Sequence, residues 1–309
     1  MKKNALTKRK IDKKLVFYII CFAFPILQFL VFYIGVNFQS FLLAFQKYNE
    51  ADSKFEFLSN KHLFDNFKDI HKDLTETKRL LFALKNTIIV WVATSLVGTV
   101  AAVFFSYYIY KQKATGRFFR FILFIPSILP AVLLAMVFDL FTADFIPRAF
   151  DSVPEMGLLY MNKPNVRFGV VVCYTVFIGF GTQILLYTGT MEQISSSIIE
   201  AGQIDGVTPM KELWYIIIPE VMPTIGTFLI AGVAGAFMNQ ANLYSFYANK
   251  AIDEVSTLGY YMFNIVKKDT VYGYGEKWYP YASAIGLCCT FLAVPLTLLL
   301  RKFFARFEE

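Results

Sequence analysis

Six stretches of this chain run without a charged residue: 15–46, 86–110, 121–138, 168–191, 221–249 and 278–300. A helix needs about 20 apolar residues to cross a bilayer, and one ionisable group at its centre costs a few kcal/mol. The pattern therefore predicts an all-α integral membrane fold with six crossing helices. The third run is the shortest, at 18 residues, and Phe118 and Phe119 extend it. The fifth turns polar after Phe237, so its lipid-depth part is expected to end there. Residues 15–46 hold 32 uncharged positions, beyond the roughly 7–15 of a signal-peptide core, so an uncleaved first helix is expected. Between the first two runs, Leu63, Phe67, Ile70 and Leu74 recur at helical spacing, as do Leu80, Leu81 and Leu84. Such stripes predict helices lying in the membrane interface.

Composition agrees. The chain is 56% hydrophobic and 17% charged, against about 45–50% and about 25% in soluble proteins. An ordinary soluble domain and a disordered chain are both excluded. The net charge of +7 would suit nucleic acid, but its distribution points to topology. Residues 1–14 carry seven basic side chains against Asp12, the 111–120 connection carries Lys111, Lys113, Arg117 and Arg120, and the tail carries Arg301, Lys302 and Arg306. Segments 47–85, 139–167 and 250–277 are balanced. Basic flanks mark the cytoplasmic side, so both termini are expected inside and no nucleic acid is implied. The expected organisation is a basic segment (1–14), a first helix (15–46), an external segment (47–85), a five-helix core (86–300) and a cytoplasmic tail (301–309). The cysteines, Cys21, Cys173, Cys288 and Cys289, all lie in apolar runs. They form neither a disulfide framework nor a metal-ligand spacing, and read as buried small apolar residues.

One inner segment breaks the charge rule. Glu192, Glu200, Asp205 and Glu212 face Lys211 alone between 191 and 214, which suggests a protein partner. The same segment holds EAGQIDGVTPMKELWYIIIP over 200–219. Gly206 is placed to end a short helix; Thr208 and Pro209 are placed to start a second one, running to Pro219. Two short helices joined by a glycine elbow would make a rigid protrusion able to pass force between a soluble partner and the bundle.

At these residues the chain resembles the permease subunits of carbohydrate-uptake ABC importers, the inner-membrane components of binding-protein-dependent transport. Glu200, Ala201, Gly206, Ile216 and Pro219 match that family's signature in register; Gly202 stands where the family has a second Ala, and Ile218 where it has Leu. Asp205–Gly206, Leu84-Lys85-Asn86-Thr87, Phe118-Phe119-Arg120, Pro126, Pro130, Thr257–Tyr261 and Tyr281–Ala284 extend the likeness. The resemblance implies a type I importer permease fold with six transmembrane helices and cytoplasmic coupling helices at 192–219. It also implies a bacterial cell-membrane location and a carbohydrate substrate, with an oligosaccharide preferred and a polyol or glycerol phosphate as the alternative. The partners implied are a second homologous permease, two ATPase subunits holding ATP and Mg, an extracytoplasmic solute-binding protein and membrane lipid. Glu200, Ala201, Gly202, Asp205, Gly206, Ile216 and Pro219 would then dock the ATPase. The chain has no GxxxxGK[ST] phosphate loop, so hydrolysis is expected on a separate subunit.

Polar side chains inside apolar runs are the remaining candidates. Asn239, Gln240, Asn242 and Tyr244 end the fifth run, and Gln183 lies in the fourth among Gly179, Gly181 and Thr182. Such residues line a cavity or bridge helices; the family's sugar site lies partly on the fifth span, which favours Asn239. Asp139 and Asp144 read as a solvated external edge. His62 and His71 lack HExxH spacing and cysteine partners, so no metal site is expected. No run holds a nucleophile, carboxylate pair or paired charges, which argues against a membrane-embedded enzyme and against a secondary transporter.

Overall fold

The computed structural model describes residues 13–59, 62–112, 115–150, 157–267 and 275–307; most of the basic segment 1–14 lies outside them. The chain opens with α1 (Phe17–Leu43), a hairpin of β1 (Gln46–Asn49) and β2 (Lys54–Phe57), and α2 (Asp65–Lys72). Then come α3 (Arg79–Lys111), a bent pair formed by α4 (Gly116–Ile128) and α5 (Ala131–Ala149), and α6 (Pro164–Met191). Next are α7 (Ser196–Ile204), α8 (Pro209–Ala236), α9 (Leu243–Tyr247), α10 (Leu258–Val266) and α11 (Gly275–Phe307). Helices α1, α3, α6, α8 and α11 are each long and apolar enough to cross a membrane. α4 and α5 qualify only together, bent by 101°.

That bend interrupts the expected third span at its second proline. Pro130 disfavours a helical conformation for the residue before it, and Leu129 is extended at φ −75°, ψ 145°. The 13 residues of α4 rise only about 20 Å, short of a hydrocarbon core about 30 Å thick. Six crossings are reached by counting α4 and α5 as one.

The segment expected to lie in the interface differs too. Its first stripe packs inward: Ile70 is buried and Phe67 and Leu74 are partly covered in a cluster with Tyr281, Ile285 and Cys289 of α11. Its second stripe lies in the first two turns of α3, which starts at Arg79 rather than at 86. The antiparallel hairpin, with Gln46 opposite Phe57 and Asn49 opposite Lys54, was not anticipated. Asn66 Nδ2 of α2 donates to the carbonyls of Ala44 and Gln46 at 2.8 and 3.0 Å. Lys277 pairs with Glu50 at 2.7 Å, holding that carboxyl below its ordinary pKa.

Two further clusters pack the bundle. Near the α7 end, Val103, Ile184, Tyr187, Ile199, Leu213 and Ile217 come together from α3, α6, α7 and α8. Toward the hairpin end, Ala135, Tyr174, Leu243 and Phe246 join α5, α6 and α9. Two of the short resemblance motifs meet directly. Asn86 Nδ2 donates to the carbonyls of Glu254 and Ser256 at 2.8 and 3.0 Å, and Thr87 Oγ1 accepts from the Leu258 amide at 2.8 Å. Gly181 allows the close approach of α4: a β-carbon there would stand 2.8 Å from the Leu123 carbonyl oxygen. Gly179 has open space. α1 buries none of its apolar window against the rest of the chain, consistent with lipid around it. Cys21 and Cys173 are exposed on the helix surfaces; of the four, only Cys289 is buried.

Candidate functional site

The 200–219 motif forms a helix, an elbow and a second helix. α7 buries Ile199 in the core and turns Glu200 and Ala201 outward. Burying that isoleucine holds α7 against the bundle by about 2 kcal/mol. The helix ends with the Gly206 amide bonded to Gln203 O at 3.1 Å and the Val207 amide to Gly202 O at 2.9 Å. These two bonds satisfy carbonyls that a helix end leaves open, and they require a left-handed residue at the turn. Gly206 supplies it at φ +73°. Among the described residues beyond its chain neighbours, a β-carbon there would meet no atom within 4 Å, so it is backbone strain that demands glycine.

Thr208 begins the second helix by position, with Pro209 at its first turn, although its hydroxyl makes no capping bond. That helix runs past Pro219, where the fifth span was expected to begin, without a break. It continues through a π-helical turn at Leu213–Ile217 into the fifth span. Pro219 has no N–H to give the carbonyl four residues back, and a widened turn accommodates the gap. The departure from the family pattern at Gly202 is matched by close packing: a β-carbon there would come within 2.9 Å of the Ile216 δ-methyl. Ile204, 87% exposed, and Met210, 56% exposed, flank the elbow with Asp205. This leaves large apolar groups beside a carboxylate at the tip.

Internal pairing accounts for two of the four acids. Glu212 is buried, and its carboxylate takes Lys111 Nζ at 2.7 Å. Tyr107 Oη, one turn before Lys111, donates to the Pro209 carbonyl at 2.9 Å. Glu192 pairs with Arg120 of α4. Glu200 and Asp205 remain outward. The acids of 192–212 and the bases of 111–120 thus meet across two connections, which the one-dimensional charge count could not reveal.

The amide candidates divide. Gln183 and Asn239 line one cavity of about 370 Å³ between α3, α6 and α8, with Thr87, Trp91, Thr94 and Ser95. Trp91 Nε1 and Gln183 Oε1 are buried there without a partner among the described residues. A π-helical turn at Ala93–Gly98 lines the same wall of α3. Asn239 Oδ1 accepts from the Ala241 amide at 2.8 Å, so this side chain also shapes the turn after α8. Gln240, Asn242 and Tyr244 do not line that cavity. Asn242 takes a left-handed conformation that leads into α9, and Tyr244 stacks edge-on against Phe263 beneath Lys267. Trp91, Thr94 and Ser95 were missed because an indole and two small hydroxyl residues, that of Thr94 bonded back to Val90 O, read as ordinary span residues, although a Thr-Ser pair in an apolar run was a usable signal.

Asp139 is not a solvated edge. Its Oδ2 accepts from Tyr160 Oη at 3.3 Å and its Oδ1 is buried, whereas Asp144 pairs at the surface with Arg148. His62 Nδ1 lies 2.7 Å from Asp65; His62 and Lys68 together hold the Asp65 carboxyl below its usual value, the lysine bond contributing most.

A family model for the binding-protein-dependent transport system inner membrane component matches residues 74–309. The multiple sugar-binding transport system permease protein MsmF of Streptococcus mutans is 24% identical, over 92% of this chain and 93% of its own. The arabinooligosaccharides transport system permease protein AraP of Bacillus subtilis is 23% identical, over 92% and 87%. Among solved structures, a bacterial ABC transporter involved in the import of the acidic polysaccharide alginate superposes with a TM-score of 0.75 at 15% identity, covering 96% of this chain and 98% of that one. The alginate transporter in complex with an alginate pentasaccharide-bound periplasmic protein gives 0.73 at 16%, covering 96% of each chain. At such identities these two likenesses establish the fold.

Proposed function

This chain belongs to the binding-protein-dependent transport system inner membrane component family, and on that premise we propose that it carries an oligosaccharide into a bacterial cell as one permease of an ATP-driven importer. It is a multi-pass membrane permease and not an enzyme. In this reading a separate ATPase pair holds ATP and Mg, a second homologous permease completes the passage, and a solute-binding protein delivers the sugar. The names of its full-length relatives favour a carbohydrate over a polyol or glycerol phosphate.

One observation carries the reading: the motif and the cavity share a helix. α8 is 28 residues long, about 42 Å. It starts at the elbow and lines the cavity with Phe228, Leu229, Gly232 and Ala236. The facing wall, α3, is tied to the elbow through Lys111–Glu212 and Tyr107–Pro209. A subunit gripping Glu200–Gly206 and Ile216–Pro219 would therefore move both walls together, shifting a two-state passage by its own nucleotide cycle.

Labelled-oligosaccharide uptake tests this proposal. Uptake is expected to vanish when the ATPase partner carries a phosphate-loop mutation; uptake that persists would favour an independent secondary transporter. In the same assay Asn239→Leu and Asn239→Asp are both expected to lower transport with assembly intact, a buried hydrogen bond to substrate being worth about 1–3 kcal/mol. Aspartate keeps the acceptor for the Ala241 amide. Full activity of Asn239→Asp would confine this side chain to shaping its turn.

The elbow and both termini are proposed to face the cytoplasm, and the hairpin to face outward. Ser53 is exposed in the hairpin turn. With the native cysteines replaced, Ser53→Cys is expected to react with a membrane-impermeant maleimide added outside intact cells. Reaction only after the membrane is opened would reverse the topology.

A further inference from the structure

The cavity between α3, α6 and α8 has a chemical bias that goes beyond its being a passage. Its polar lining consists of hydroxyls, amides and one indole, from Thr87, Trp91, Thr94, Ser95, Thr99, Gln183 and Asn239. Among the described residues, no Asp, Glu, Lys, Arg or His lines it. Charge is not scarce elsewhere at the surface. The groove of about 1020 Å³ beneath the hairpin is lined by Lys47, Glu50, Glu56, Asp65, Lys68 and Lys277. Ionised side chains are thus placed at the hairpin mouth and excluded from the central cavity.

Three buried atoms there have unmet hydrogen-bonding capacity: Trp91 Nε1, Thr99 Oγ1 and Gln183 Oε1. The Thr99 hydroxyl both donates and accepts and so suits either kind of ligand; the other two atoms discriminate. Trp91 Nε1 is a donor only, and Gln183 Oε1 is an acceptor. A sugar hydroxyl both donates and accepts, so one hydroxyl group or an adjacent pair answers both atoms. A carboxylate accepts only: it would satisfy the indole and oppose the glutamine oxygen. An anion leaving water for a site without a cation also loses hydration that the neutral donors on these walls replace without any compensating charge. The aromatic face of Trp91 suits the apolar face of a sugar ring.

We infer that this half of the passage selects uncharged glycans, with Trp91 and Gln183 as its specificity-determining pair, and disfavours uronic acids and phosphorylated sugars. The inference rests on the reading above that the cavity belongs to the transport route. It separates this chain from the alginate importer it resembles in fold, whose cargo is an acidic polysaccharide.

The whole importer complex in nanodiscs, without its solute-binding protein, allows a direct test by saturation-transfer NMR. The probes are arabinotriose, galactotriose and maltotriose as neutral trimers, and trigalacturonate as the acidic one. At least one neutral trimer is expected to bind, about tenfold more weakly in Trp91→Phe or Gln183→Leu. Trigalacturonate is expected to give no more signal than empty nanodiscs, and to gain signal when Gln183→Lys supplies a cation. Trigalacturonate binding as tightly as the neutral trimers, and weakened by Trp91→Phe, would overturn the selectivity while leaving the passage intact. Neutral binding that ignores both substitutions, or no neutral binding at all, would overturn the passage reading and this inference with it.

Discussion

Lys111→Met is expected to destabilise the elbow by about 3–5 kcal/mol, because it strands a buried carboxylate without its cation. The Glu212 side chain is 5% exposed and that of Lys111 30%, so water can replace little of the lost interaction. The Arg120–Glu192 pair makes a useful contrast. Its glutamate side chain is 53% exposed, and a pair so open to solvent is worth about 0–1 kcal/mol. Arg120→Met should accordingly leave the unfolding temperature of the purified complex almost unchanged, whereas Lys111→Met lowers it by several degrees. Lys111→Met/Glu212→Leu is expected to recover most of the loss, since removing both charges also removes the desolvation cost. The pair joins the end of α3 to the start of α8, so Lys111→Met is also expected to lower sugar moved per ATP hydrolysed in whatever complex remains folded. A Lys111→Met complex that melts and couples like the parent would show that the pair holds nothing.

How much of this could be read from the sequence varied with the kind of information involved. The crossing helices were legible because lipid imposes a single ruler, length without charge, on every span. That ruler ignored the break at Leu129–Pro130, since Leu129 and Pro130 are as apolar as a helix would require. It also placed the start of α3 at Asn86, because Arg79 and Lys85 belong to the helix but lie outside its uncharged run. The hairpin pairs two strands of four residues each, too short for alternation to stand out from a polar connection. The elbow was legible to its turn residue, because a helix end followed by a left-handed glycine is a local event. The partners of its acids were not. Lys111 and Glu212 are 101 positions apart and Arg120 and Glu192 are 72 apart, and only the fold brings them together. The cavity was half legible: Gln183 and Asn239 stand out as amides in apolar runs, while Trp91 declares its polar atom only once its surroundings are known.

Gly206→Val is expected to abolish uptake while leaving the membrane helices in place. The position is left-handed at φ +73°, a conformation that costs an ordinary L-residue roughly 1–2 kcal/mol and suits a β-branched one least. Among the described residues beyond its chain neighbours, nothing lies within 4 Å of a β-carbon built there, so backbone strain is the penalty the geometry shows. Such a penalty would not unfold a bundle of long helices. It would instead release the two bonds that end α7, from the amides of Gly206 and Val207, and re-aim α7 relative to α8. If that elbow is the seat of the ATPase, as proposed, the change falls on the docking geometry, and the ATPase should no longer co-purify. Gly206→Asn is the control, because asparagine tolerates the left-handed region far better than valine; it is expected to keep most of the attachment unless the partner fills the open space. Glu200→Lys probes the same surface by charge: the exposed carboxylate becomes an ammonium, and docking is expected to weaken in a salt-dependent way against a basic partner. A Gly206→Val permease that retains its ATPase and transports sugar as the parent does would sink the docking assignment, whatever Glu200→Lys shows.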